Sequence, residues 1–289
     1  MTAPNPRLNA YRPDLADIRL KGTVEAERYV AGAPAWVSAP VADLRRNPDS
    51  EAGLDTQLLT GDAVSVLDSA GGWAWVQGLA DGYVGYVREQ HLTEINPHST
   101  HIVCAPRSFV YPGPDLRFPV VRSLSLGSSV SVVGETETRG SRYLILDDGA
   151  AMIARHLRAV DDYAPDYVAV AEAMINTPYL WGGTSGFGID CSGLVQLSMR
   201  LAGMRVQRDA SMQEVTLGRA LDPGMNFGAV RRGDLVFWKG HVAIMTSTTD
   251  MIHANGHTML VSREGLAEAI GRIGYLYGQP TSFRRPQAQ

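Results

Sequence analysis

Two of the 289 residues are cysteines, and one of them, Cys191, closes a glycine-rich run and opens an apolar helical pattern in YLWGGTSGFGIDCSGLV (residues 179–195). A thiol at a helix start meets unpaired N–H groups and the positive end of the macrodipole, which favour thiolate over thiol. Thiolate attacks carbonyl carbon, and the reaction then needs a group to carry protons. Two histidines qualify. His241 opens the strand-like run HVAIMT, and His253 lies in the next one, MIHA. Period-two alternation sets His241 on one face with Ala243 and Met245, and the turn STTD folds the second run back beside the first. A cysteine on a helix end, a histidine on an adjoining sheet and a second polar group to orient it make a nucleophile, a base and an orienting residue. The blander alternatives are a histidine satisfied within the structure and, for His257, a turn residue. A zinc site from Cys191, His241, His253 and His257 matches no standard ligand spacing, so no metal is expected.

Several elements must position these groups. DYVAVAEAMIN (166–176) predicts a helix capped by Asp166, with Val170, Ala171, Met174 and Ile175 on one face and Pro178 ending it. Gly182, Gly183, Gly186 and Gly188 then read as a loop in which backbone approaches something closely, and no GKS or GKT follows to make it a phosphate loop. From Cys191 a helix carries Leu194, Val195, Ser198, Leu201 and Ala202 along one stripe and stops at Gly203. Strands are predicted over 235–238, 242–246, 251–254 and 259–262.

The first half holds a repeat. Gly61 corresponds to Gly127, Val64–Val66 to Val130–Val132, Asp81-Gly82 to Asp148-Gly149 and His91-Leu92 to His156-Leu157, at an offset of 65 to 67 residues. Each copy reads as short alternating strands with an Asp-Gly turn before the last, so two small antiparallel barrels are expected. Trp73 and Trp75 share a face, whereas Tyr83 and Tyr86 lie on opposite faces, which turns at least one tyrosine away from the core.

Composition narrows the field. The formal net charge is −4, and the basic pairs Arg45-Arg46, Arg231-Arg232 and Arg284-Arg285 are isolated, so no nucleic-acid surface is expected. No stretch approaches the roughly 18 apolar residues of a membrane span. No apolar h-region occurs near the start, and two cysteines 87 positions apart read more simply as free thiols than as a pair; both point to a cytosolic, reducing setting.

YLWGG…DCSGLVQ, RRGDLVFWKGHVAI and MIHANG together resemble the NlpC family of papain-like cell-wall cysteine peptidases, over residues 163 to about 280. The resemblance implies Cys191 as nucleophile, His241 as general base and then acid, and His253 as the group orienting His241, the same three roles the residues themselves indicate. It also implies that Asp190 and Ser192 shape the substrate cradle, that the Cys191 N–H contributes to an oxyanion hole, and that Tyr179 lies beside the scissile carbonyl. The repeat resembles the bacterial SH3-like module. The combined layout is similar to that of γ-D-glutamyl-L-diamino-acid endopeptidases (dipeptidyl-peptidase VI), which act on murein peptides with a free N-terminal L-Ala. That likeness implies an acceptor-lined pocket for an ammonium, with Asp209 as its carboxylate and Tyr83 of the first barrel closing it, ahead of Glu51 or Asp55. Asp209 has an equally good reading as the N-cap of the following helix.

The expected fold is therefore α+β, two SH3-like β-barrels followed by a papain-like peptidase domain. The expected boundaries are 1–30 for an N-terminal extension, 31–96 and 97–160 for the barrels, and 161–289 for the peptidase. No cofactor is expected, and the expected partner is a murein peptide, without nucleic acid or membrane. Three rival readings stand beside this one: an exported wall endopeptidase anchored by its barrels, a non-catalytic wall-binding protein, and an acyltransferase.

Overall fold

The computed structural model describes residues 4–287, so the first three residues of the expected extension and the last two of the expected peptidase domain lie outside it. The chain is mostly β with four α-helices among the described residues, and it divides into two compact units at Asp162/Tyr163. No helix among the described residues is long and apolar enough to cross a membrane.

In the first unit, residues 33–93 form a seven-stranded antiparallel sheet. Its order is Leu54–Leu59, Val41–Arg45, Val84–Arg88, Trp73–Gly78, Ala63–Ala70, Ala33–Val37 and Leu92–Thr93. Trp73 and Trp75 are buried, as their shared face requires, with Arg88 stacked 4.0 Å above the first ring and Arg12 4.4 Å above the second. The N-terminal extension, for which the sequence offered no placement, packs here. Ala10 and Leu15 join Leu67 and Trp75 in one apolar cluster, and Arg12 pairs with Asp68 at 2.6 Å.

Residues 101–159 form three smaller sheets around Val103, Val110, Leu124, Leu146 and Met152. The repeat is visible in the backbone. Gly61 and Gly127 have φ of +85° and +89°, and Gly82 and Gly149 have φ of +79° and +81°, a region open to glycine at no steric cost. Equivalent 3-10 turns, Glu89–His91 and Ala154–His156, precede Leu92 and Leu157. The copies differ after Val130, where the second breaks: Ser129–Val130 and Val132–Thr138 belong to different sheets.

Tyr83 is only 1% exposed, which corrects its reading as the outward ring. It sits in the Asp81-Gly82 turn, its N–H donating to Asp81 Oδ1 at 2.9 Å, so strand alternation does not govern it. Tyr86, within the strand, is the partly exposed one and accepts from Arg12 at 3.0 Å.

The second unit is built on a six-stranded antiparallel sheet in the order Arg219–Ala220, Ser282–Arg285, Leu235–Trp238, His241–Met245, Asp250–Asn255 and Leu260–Gly265. The four predicted strands are all present, each within about three residues of its expected ends. Helix α1 spans Tyr167–Glu172, α2 Cys191–Leu201, α3 Ala210–Thr216 and α4 Leu266–Tyr277. Asp166 caps α1 as expected, accepting from the Val168 N–H at 2.8 Å. Of the expected stripe Ala171 and Met174 are buried and Val170 and Ile175 partly so, with Val168 buried beside them; the helix itself ends at Glu172, and Asn176 turns the chain with φ +66°. Leu266, Ala269, Ile270 and Ile273 of α4 pack on Val236, Trp238, Ala243, Met245 and Met251, which fixes that helix to one face of the sheet.

Candidate active site

The loop before Cys191 brings backbone close to backbone, as its glycines suggest. A Cβ added at Gly183 would lie 2.5 Å from the Gly188 carbonyl oxygen, and one added at Gly193 would overlap the Gly183 carbonyl. The close approach is therefore between segments of the loop itself. Thr184–Ser185 pairs with Gly188–Ile189 as a miniature hairpin, so one of these glycines, Gly188, enters a strand. The folded loop delivers Asp190 to the N-cap of α2, where Oδ1 accepts from the Gly193 N–H at 2.7 Å and Oδ2 from the Gly182 N–H at 2.9 Å.

Asp190 is also one half of a buried ion pair that sequence reasoning missed. Arg208, 1% exposed, donates to Oδ2 at 2.6 Å and to Oδ1 at 3.0 Å. The same guanidinium donates to Ser192 Oγ at 2.8 Å and to the Gly183 carbonyl at 3.4 Å. Gln213 of α3 donates to the Ser192 carbonyl at 2.9 Å. Asp190 and Ser192 thus clamp the loop to the helix start. A fork-shaped, permanently charged side chain is well suited to that task.

Cys191 is the first residue of α2 and 7% exposed. The backbone N–H groups of Val242 and Ser192 point at its sulfur and lower its pKa, as does Arg208; burial and the Asp190 charge outweigh them and push the thiol up to about 12. Desolvation thus opposes the helix-terminal effect that favours thiolate. Tyr179, half-buried and bridged to Ile189, lies near enough for the Cys191 and Asp190 charges, after burial, to raise its phenol pKa.

His241 begins its strand directly after the two-residue turn Lys239-Gly240, in which Gly240 has φ +77°. The ladder between His241–Met245 and Asp250–Asn255 ends at Ile244↔Ile252, and the two histidines stand where the strands part. His241 Nε2 lies 2.9 Å from His253 Nδ1, with the rings at 64°. Trp238 packs beside His241, its ring centroid 5.8 Å away. Burial, reinforced by His253, pulls His241 down to about 3, and burial lowers His253 as well, so both imidazoles rest neutral near pH 7. A neutral thiol beside a neutral base can still react, with proton transfer accompanying attack.

Beyond His253 stands Glu264, also absent from the sequence reading. Its Oε2 is 3.2 Å from His253 Nε2, off the line of an ideal hydrogen bond, and Arg272 of α4 grips both its oxygens. His253 and then Arg272 draw the Glu264 carboxyl down to about 2.

Asp209 is half-buried at the N-cap position of α3, but its carboxylate makes no capping hydrogen bond. Its charge raises the pKa of neighbouring Arg208, together with the larger contribution of Asp190. His257 is an exposed turn residue whose N–H donates to Asn255 at 3.1 Å. Among the described residues no three His, Cys, Asp or Glu side chains are grouped to hold a metal ion.

Comparison with known proteins fits this geometry. Residues 44–92 match the bacterial dipeptidyl-peptidase Sh3 domain, and residues 176–270 match the NlpC/P60 family. Dipeptidyl-peptidase 6 of Lysinibacillus sphaericus is 27% identical over 281 residues, covering 84% of this chain and 99% of its own. The γ-D-glutamyl-L-lysine dipeptidyl-peptidase of Bacillus cereus is 28% identical over 230 residues, 70% of this chain and 67% of its own. The crystal structure of an NlpC/P60 family protein from Bacillus cereus superposes with a TM-score of 0.72 at 23% identity, over 88% of this chain and 99% of that one, a likeness of fold.

Proposed function

We propose that this chain, a cysteine peptidase carrying an NlpC/P60 domain behind a bacterial dipeptidyl-peptidase Sh3 domain, hydrolyses the γ-D-glutamyl-L-diamino acid bond of murein peptides. Peptides with a free N-terminal L-Ala are the substrates, L-Ala-γ-D-Glu is the product, and murein peptide recycling is the setting. The observation that carries the reading is Cys191 at a buried helix start, its sulfur against the N–H of Val242 next to His241, with His241 and His253 paired, in a chain similar along most of its length to enzymes named for this bond.

The chemistry follows from the residues. His241 Nε2 is engaged by His253, which leaves Nδ1 to accept the Cys191 proton as the sulfur attacks the γ-carbonyl carbon. The tetrahedral oxyanion is held by the Cys191 backbone N–H, with Tyr179 beside the carbonyl. The His241 imidazolium then gives its proton to the leaving α-amine, and a thioester remains on Cys191. Water, deprotonated by His241, adds to the thioester, and the thiol departs with the proton returned. Asp209, next to the Arg208 clamp at the N-cap position of α3, is the carboxylate that pairs with the substrate ammonium.

The test is incubation with L-Ala-γ-D-Glu-L-Lys and with the meso-diaminopimelate equivalent, followed by mass spectrometry. Release of Ala-Glu from at least one, abolished by Cys191→Ala, is the expected result. Failure to cleave either would overturn the proposal.

A further inference from the structure

The strand register places Glu264 where a sequence reading cannot see it. His253 is paired with Ser262, so Glu264, two residues further along the same strand, lies diagonally beside His253 on the same face. The His253 side chain is fully buried, whereas Glu264 is 20% exposed and tied to α4 by Arg272. Four side chains therefore stand in line: His241, His253, Glu264 and Arg272.

The order of donors along this line is determined by its far end. Arg272 only donates, so it holds Glu264 as an ionised carboxylate, and an ionised carboxylate only accepts. His253 must then carry its proton on Nε2, facing Glu264, which leaves its Nδ1 as an acceptor. His241 must in turn carry its proton on Nε2 to donate across the 2.9 Å contact, and its Nδ1 is left with a lone pair. The reversed order would put a lone pair of His253 against the carboxylate.

We propose that Glu264 is a positioning residue: by holding His253 as the Nε2–H tautomer it fixes His241 with Nδ1 free to take the Cys191 proton. It also stabilises the imidazolium formed on His241, through His253, while the acyl-enzyme forms. The charged groups facing this pair are Glu264 on its own strand's neighbour, Arg272 from α4 and, more weakly, His257. The proposal rests on the reading of His241 as the base of the peptidase reaction.

Histidine 15N NMR on the full-length Cys191→Ala protein tests the tautomers without any substrate, so its outcome is separate from that of the cleavage assay. The expected spectrum shows His253 and His241 each protonated at Nε2, with Glu264→Gln in the same background mixing the tautomers of both. His253 protonated at Nδ1, or a pattern unchanged by Glu264→Gln, would overturn the proposal.

Kinetics supply the second readout. Glu264→Gln should lower kcat about 10- to 100-fold with KM within about twofold. Loss of the carboxylate lowers the pKa of the imidazole pair, so the acid limb of kcat/KM should move to lower pH, and Glu264→Asp should recover part of both effects. If Glu264→Gln does not fold, Glu264→Asp alone must show a smaller acidward shift of the same limb. A loss of activity with the limb unmoved would mean a purely structural role and contradict the assignment.

Discussion

Arg208 forks onto Asp190 at 2.6 and 3.0 Å, and both side chains are shielded from water beside the nucleophile. The pair binds the glycine loop, the N-cap of α2 and Ser192 into one piece, so it governs where the sulfur of Cys191 sits.

Removing one partner leaves the other charged and buried. Arg208→Ala should therefore destabilise the protein by about 3–5 kcal/mol, more than an exposed pair such as Arg142–Glu135, whose loss should cost no more than about 1 kcal/mol. Urea unfolding of the two variants provides the comparison. An Arg208→Ala effect as small as that of Arg142→Ala would show that the clamp does not hold the site.

The resting state of the nucleophile is open to a direct check. With the thiol raised to about 12 and His241 lowered to about 3, Cys191 is protonated and His241 neutral at pH 7. Iodoacetamide alkylation of Cys191 should accordingly accelerate with pH well beyond 9 and show no plateau in the acid range. A plateau between about pH 4 and 8 would instead reveal a standing thiolate–imidazolium pair.

Stability should fall in acid for a related reason. The unfolded chain binds a proton at His241 near pH 6.5, and the folded chain only near 3, so ν is larger in the unfolded state between these values. The contribution of His241 is complete above about 6.5 and is lost as pH falls from there through about 3. Its slope is at most about 1.4 kcal/mol per pH unit. Glu264 acts in the same direction lower down, between its ordinary 4.5 and about 2. His241→Gln should flatten the pH dependence of thermal unfolding between pH 4 and 6; an unchanged slope would contradict the burial of a neutral imidazole.

Much of this site was legible in the chain, and the reasons are specific. Cys191 is flanked by a glycine loop and an amphipathic stripe, and His241 and His253 lie on successive apolar strand-like runs joined by a short turn, so local pattern placed all three. Arg208, Glu264 and Arg272 carry no such mark. Their roles come from pairing between elements: Arg208 reaches back to a cap, and Glu264 is known to face His253 only once the register of residues 253 and 262 is known. Tyr83 failed as an outward ring because it lies in a turn, and what the glycine backbone approaches, the loop itself, was not legible because loop contacts leave no periodic trace. Burial opposes the thiolate expectation, and burial is something a sequence does not report.

The central claim is that Cys191 cleaves a γ-D-glutamyl bond in peptides held by a free amine. The most direct measurement compares kcat/KM for L-Ala-γ-D-Glu-meso-diaminopimelate and its N-acetylated form, with wild-type protein and with Asp209→Asn. Cleavage of the free-amine peptide should exceed that of the acetylated one by at least about a hundredfold, and Asp209→Asn should lower the first while sparing the second. Equal cleavage of both peptides by the wild-type protein would contradict the account and point to intact wall as the substrate.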